Sequence, residues 1–195
     1  MSHINITFKI FSTKQSSGYD RVDLIEGGLR IVIDSIVITK RENDVGDDGY
    51  RGDYIFNHFW SWLDSIPSLL NGQECTSQLL DNPGIFVFSP KGNVTFIKFC
   101  ESDNPDGISR VIENGSEVLR TGEYFNRLYP NYPEGIPIST VSLIKEILRV
   151  AEDFYYHLEK NIPVPNDDLL QFRTILITRK KFFFDYLKSH SEMET

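Results

Sequence analysis

Three consecutive stretches decide the fold of this chain: Ile85-Phe86-Val87-Phe88, then Ser89-Pro90-Lys91-Gly92-Asn93, then Val94-Thr95-Phe96-Ile97-Lys98-Phe99. Two runs of strand length, rich in β-branched and aromatic residues, flank a segment whose Pro and Gly suit a tight turn. That pattern predicts an antiparallel hairpin. Both faces of Ile85–Phe88 are apolar, so this strand is expected inside a sheet with helices covering one side.

Downstream, Ile108–Ile112 and Val118–Arg120 flank Asn114-Gly115, a short-range hairpin signal that extends the pair into a four-strand meander. Upstream, Ile4, Ile6, Phe8 and Ile10 fall at period two between Asn5, Thr7 and Lys9, the pattern of a half-buried strand. Ser16-Ser17-Gly18 and Glu26-Gly27-Gly28 punctuate a loop. Arg30 to Thr39 reads as a second strand antiparallel to the first, with a bulge at Asp34-Ser35 where the alternation breaks.

Helical spacing appears in three places. Phe56, Phe59, Trp60 and Leu63 stand at i, i+3, i+4, i+7, with Asp53 as N-cap and Gly72 as C-terminal cap. Pro67 is expected either to kink this helix or to open a short continuation through Leu70. After an irregular Tyr- and Pro-rich stretch over 122–138, Ser139 caps a helix carrying Ile144, Ile147, Leu148, Ala151, Tyr155 and Leu158. Pro163 and Pro165 stop it. Asn166-Asp167-Asp168 opens the last helix, its acids suiting the positive end of the helix dipole. Leu169, Phe172, Leu176, Phe183 and Leu187 form its inner face, with a strand over Thr174–Thr178 as the alternative. The expected architecture is α+β: one antiparallel sheet of about six strands, one inserted helix, and two C-terminal helices packed mainly on one face. Residues 1–195 are read as a single globular domain.

Composition narrows the function. The chain has 195 residues, 40% hydrophobic, with a net charge of −8, which excludes disorder and argues against a general nucleic-acid binder. Two cysteines cannot staple a secreted miniprotein or complete a four-ligand zinc site, so Cys75 and Cys100 read as reduced, structural thiols of a cytoplasmic protein. The N-terminus shows no secretory leader, and no run approaches the roughly 18–20 apolar residues of a membrane span.

Chemistry-bearing motifs are sparse. The loop from Asp44 to Gly49 resembles a calcium loop, but counted from Asp44 its third position is Gly46 and its twelfth Ile55, where a bidentate Glu is required. Asp153 and His157 stand at i, i+4, the spacing at which a carboxylate orients an imidazole for base catalysis, yet no serine or cysteine nucleophile motif accompanies them. Glycine-rich phosphate loops do not occur. No metal and no cofactor is expected. Arg179-Lys180-Lys181 reads as a solvated helix face, and Tyr124, Phe125, Tyr129 and Tyr132 as rings that fold back into their own loop or stand exposed as a binding surface.

What remains is charge placed in loops, over 42–48 and 101–106. Asp44, Asp47, Asp48, Asp103 and Asp106 form an expected partner-binding surface, with Tyr50, Arg51 and Tyr54 as anchors. An acidic surface steers a basic partner into encounter, and nuclease toxins are such partners because they carry basic clefts. The order of elements points the same way. An aromatic-rich helix containing Phe59-Trp60-Ser61-Trp62-Leu63, then Leu80-Asp81-Asn82-Pro83, an antiparallel meander and closing helices resembles the small bacterial immunity proteins of polymorphic and contact-dependent toxin systems. The resemblance covers residues 50–160 and implies a cytoplasmic, non-enzymatic protein that binds and blocks a toxin. It carries no family residue onto this chain. An enzyme with a site assembled from distant residues around Asp153 or His157, and a structural or oligomeric component, are the rival readings.

Overall fold

The computed structural model describes residues 2–12, 21–40, 46, 48–52, 54–78, 84–101, 108–113, 116–121, 132–162 and 166–191, with backbone alone for 12, 78, 101, 108–113, 116–121 and 191. Strands β1 (Ile4–Ser12) and β2 (Glu26–Ile33) pair antiparallel from Ile4↔Ile33 to Ser12↔Glu26. The period-two pattern of β1 is realised: Ile4 and Ile6 are buried while Asn5 and Lys9 face water. Arg30–Thr39 is not one strand. Instead of a bulge, Asp34-Ser35 makes a tight turn from β2 into the short β3 (Ile36–Val37), with Asp34 at a φ of 52°. An aspartate tolerates this left-handed geometry when its side chain bonds locally. Here its Oδ1 accepts from the His3 N–H at 2.8 Å, while its own N–H donates to the His3 carbonyl at 2.7 Å.

The glycines at 27 and 28 lie in β2 rather than in a loop. A Cβ on Gly27 would stand 2.7 Å from the Lys9 carbonyl oxygen, so a glycine permits the close approach that elsewhere marks punctuation.

Helix α1 (Ile55–Leu70) runs unbroken through Pro67, which lies in its last turn and costs the helix only the bond to the Leu63 carbonyl. The residue at its N-cap is Tyr54; the Asp53 expected there lies outside the described residues. Gly72, at a φ of 74°, closes the C-terminus as the sequence predicts, with the Gly72 and Gln73 N–H groups donating to the Leu69 and Ser68 carbonyls. Ile55, Phe59, Trp62, Leu63 and Ile66 are fully buried, so the buried face runs through Trp62 and leaves Trp60 half-buried.

The chain continues through β4 (Cys75–Gln78), β5 (Gly84–Lys91), β6 (Val94–Glu101), β7 (Ile108–Glu113), β8 (Ser116–Thr121) and β9 (Ile136–Ser139). The deciding hairpin forms as read, from Gly84↔Glu101 to Lys91↔Val94. The single six-strand sheet does not. A three-stranded sheet, β1-β2-β3, and a four-stranded sheet, β4-β5-β6-β9, are separate, and β7 pairs with β8 as its own ribbon. The place beside β6 goes to β9, read in the sequence as irregular because of Pro137. Proline is compatible with an edge strand, and Ile136 and Ile138 are buried on either side of it. β5 is interior, as expected. Phe86 and Phe88 enter the main core, while Ile85 and Val87 form a small second cluster with Cys100.

Helix α2 (Thr140–Asn161) starts at Ser139, whose Oγ accepts from the Ser142 N–H. Helix α3 (Asp167–Ser191) follows, with Asn166 Oδ1 accepting from the Leu169 N–H at 3.0 Å; no strand forms over Thr174–Thr178. α1 packs on β2, β4 and β5, and α2 on β1, β6 and β9, so these helices are shared between two sheets rather than laid on one face of one. One aromatic cluster joins the layers. Phe154 of α2 lies 4.5 Å from Phe59 of α1, 5.4 Å from Phe8 of β1 and 6.1 Å from Phe172 of α3, centroid to centroid.

The outer edge of β1 is closed by α2. Glu146 Oε1 accepts from the Ile6 N–H at 2.7 Å, and Arg149 Nη2 donates to the Ile6 carbonyl at 2.7 Å. Arg149 also bonds Glu146 at 2.6 Å, so one ion pair satisfies both outward backbone groups of an edge residue and denies them to another strand. Among the described residues, no helix is long and apolar enough to cross a membrane.

Candidate functional site

Residues 48–52 and 54 form the part of the expected partner surface whose geometry is described. They run antiparallel along the edge of β2 that β3 leaves open, with bridges Leu29↔Arg51 and Glu26↔Tyr54. The Leu29 N–H donates to the Arg51 carbonyl at 2.7 Å and the Arg51 N–H returns to Leu29 at 3.0 Å. Contact is close enough that a Cβ on Gly52 would stand 2.5 Å from the Gly27 carbonyl oxygen, which makes glycine a requirement there. Gly49, at a φ of 81°, turns the chain into this segment.

The side chains form a small polar cluster over the outer face of β1. Asp48 accepts from Lys9 Nζ at 3.0 Å through Oδ2 and from the Tyr50 N–H at 3.2 Å through Oδ1. The Lys9 ammonium lies 5.6 Å from the centre of the Tyr50 ring, and the Tyr50 hydroxyl is 3.2 Å from Thr7 Oγ1. Arg51 Nη1 donates to the Tyr50 carbonyl at 3.1 Å. Lys9 and Asp48 are both more than half exposed, so their ion pair contributes only about 0–1 kcal/mol and yields readily to a competing cation. Asp48 and Tyr50 are thus brought together with Lys9 and Thr7, Arg51 reaches the Tyr50 carbonyl, and Tyr54 bridges to Glu26 further along β2; Asp44, Asp47, Asp103 and Asp106 lie outside the described residues.

Sequence reading missed a second concavity. Arg21, Asp23, Phe56, Asn57, Trp60 and Asp168 line an open groove of about 460 Å³ between the short 3-10 turn at Val22–Leu24, α1 and the start of α3. Arg21 holds Asp23 at two points, 3.2 and 2.6 Å, which draws the Asp23 carboxyl below its ordinary range. Trp60 and Phe56 form the wall with Phe172 behind them. Nothing in the spacing of residues 21–23, 56–60 and 168 announces this meeting, because only the docking of α3 creates it.

The candidate acid–base pair does not form. Asp153 accepts from Arg149 Nη1 at 2.6 Å, and the His157 ring stands edge-on to Phe8 at 6.0 Å. A different histidine meets a serine: His58 Nδ1 is 3.2 Å from Ser77 Oγ. Both are buried, at 2% and 3% exposure, where no substrate reaches, so the pair is a polar tie between α1 and β4. Cys75 and Cys100 are free thiols. Burial raises both, Cys100 to about 12, which keeps it protonated and unreactive at neutral pH. Of the basic triplet, Lys181 is exposed, while the partly exposed Arg179 and Lys180 tie α3 to Asp64 of α1 and Glu152 of α2. Tyr132 is exposed, and its companions Tyr124, Phe125 and Tyr129 lie outside the described residues. Among the described residues no group of three or more His, Cys, Asp or Glu is placed to hold a metal ion.

No protein-family model, curated protein or solved structure matches this chain.

Proposed function

We propose that this chain is a binding protein that captures a basic protein partner through the acidic surface built on the outer edge of β2, acting as a cytoplasmic immunity protein against a toxin domain, with nucleases the favoured class. The observation that supports the reading is the fixing of residues 48–52 and 54 to β2. A segment held on a sheet by paired backbone hydrogen bonds presents Asp48, the one carboxylate among its described residues, beside the half-buried Tyr50 and Arg51 at little entropic cost on binding. The net charge of −8 adds long-range attraction for a positive partner. Such an inhibitor works by occluding a basic cleft, and it needs no reacting group of its own.

The test looks for a toxin reading frame beside this gene and measures the pair for co-purification and for association rate. Replacing Asp44, Asp47 and Asp48 together by Lys is expected to slow association by about tenfold or more and to flatten its salt dependence. Unchanged association would remove this loop from the interface, and failure of the pair to co-purify would remove the toxin as partner.

A further inference from the structure

Helix α3 carries two apolar rows. The inner one, with Leu169, Phe172, Leu176 and Phe183, is buried on α1 and α2. The outer one consists of Leu170, Ile177 and Phe184, which are 49%, 57% and 60% exposed. Seven residues make nearly two helical turns, so these three side chains stand on one line, roughly 10 Å apart, about a third of the circumference from the inner row. Isolated exposed apolar residues, such as Phe182 at 41% exposure, are ordinary; three at one heptad position on the outer side of a packed helix form one half of the seam that a second helix reads.

The charges beside this row are mostly positive, against the sign of the whole chain, with Asp185 the exception. Arg173, Lys181 and Lys188 flank it and are exposed, and the Lys188 ammonium lies 5.1 Å from the centre of the Phe184 ring. Lys180, on the side toward α2, is committed to Glu152. We propose that the outer row of α3 is a docking face for an amphipathic helix of another protein that has apolar residues in heptad register and acidic residues at its flanks. Charge complementarity selects this occupant. Two copies of the present chain, paired antiparallel about Ile177, would set Arg173 of one against Lys181 of the other, like charge on like. An anionic membrane surface would be met by a broad apolar face, whereas this one is a single row interrupted by Thr174 and Thr178 and bordered by Asp185. The face lies on a different element from the segment on β2, so it stands independently of the toxin-binding reading.

The experiment measures fluorescence anisotropy of a labelled synthetic three-heptad peptide titrated with the full chain. The peptide has leucine at the first and fourth heptad positions and glutamate at the flanking ones; a second peptide has lysine in place of each glutamate. The expected result is saturable binding of the glutamate peptide, at least about tenfold weaker binding of the lysine peptide, and at least about tenfold loss with Ile177→Glu. Phe184→Ala is expected to weaken binding severalfold, and Lys181→Glu with Lys188→Glu to reverse the peptide preference. All these positions are exposed, so thermal unfolding serves to confirm an intact fold. Failure of the glutamate peptide to bind, equal binding of both peptides, or binding that survives Ile177→Glu overturns the proposal. Recruitment to phosphatidylserine vesicles in place of peptide, or a dimer in sedimentation that Ile177→Glu dissolves, overturns it in favour of a membrane or a second copy.

Discussion

Helices α2 and α3 are the longest in the molecule, adjacent and in contact, yet they are built on opposite plans. α2 buries ten residues, among them Ile144, Ile147, Ala151, Phe154 and Leu158, and touches both large sheets as well as both other helices. Polar groups along it are also committed, Glu146 and Arg149 to the edge of β1 and the buried Tyr155 to Glu159. α3 packs through one row, is tied down by Arg179 and Lys180, and leaves Leu170, Ile177 and Phe184 in water. The difference teaches that apolar content alone does not assign a helix to the core. α2 is the beam on which two sheets are assembled, and α3 is cladding whose outer surface is available for other use.

The comparison breaks most sharply with one truncation on each helix. Phe154→Ala on α2 removes a fully buried ring that touches Phe8, Phe59 and Phe172 and leaves a cavity, at a cost of about 3–5 kcal/mol. Phe184→Ala on α3 is expected to change stability by no more than about 0.5 kcal/mol. Urea unfolding of both variants decides the matter, and equal losses would mean that α3 is as much a part of the core as α2.

A smaller effect separates the polar surfaces of the two helices. Arg149→Ala leaves the Ile6 carbonyl without its donor and Glu146, only 12% exposed, without its cation, costing about 2 kcal/mol. Hydrogen bonding to Glu146 raises the Arg149 pKa, against a lowering by burial, with the charges of Glu146 and Asp153 adding to the rise, so the guanidinium stays charged. The same change opens the β1 edge, so concentration-dependent association should rise in the variant. Arg173→Ala on α3 is expected to do neither. Light scattering and a denaturation midpoint together test this, and an unaltered midpoint for Arg149→Ala would show that water replaces the guanidinium at no cost.

Local patterns were legible where one segment suffices to determine its own structure. Period two in Ile4–Ile10, the hairpin around Gly92-Asn93, the Ser139 and Asn166 caps and the Gly72 stop all rest on interactions within a few residues. What could not be read depends on residues far apart. Pro137 argues against a strand until Val94–Ile97 is present to pair with it, and a Gly27-Gly28 pair looks like a loop until β1 lies across it. Asp153 at i, i+4 from His157 is drawn away by Arg149, one turn in the other direction. For the candidate surface, Asp48, Tyr50, Arg51 and Tyr54 were legible as neighbours in sequence. Their place on β2 was not, because the bridge to Leu29 spans the first sheet. The row on α3 escaped notice for a related reason: with apolar residues on two sides, the helix has a weak contrast between faces, and only the packed structure tells which row is inside.

The finest contrast between the helices is in their response to alkali. On α2 the Tyr155 hydroxyl donates to Glu159 Oε1 at 2.6 Å. Burial, then this hydrogen bond, then the negative charge of Glu159 raise the Tyr155 pKa above its ordinary value near 10, with Arg173 of α3 opposing in part. A pKa raised in the folded state means that the neutral phenol is favoured by folding. The corresponding stability is fully present below the unfolded value and is lost as pH rises through the folded one. Wild type is therefore expected to exceed Tyr155→Phe by about 1 kcal/mol up to pH near 10 and to lose that margin above it. Removing Arg173 takes away a charge that favours the phenolate, so Arg173→Ala should move the loss to still higher pH. Denaturation midpoints across the alkaline range distinguish this from a phenol that contributes by packing alone, for which the margin over Phe would be absent and independent of pH. Such a result would mean that the Tyr155 hydroxyl adds nothing to the packing of its ring.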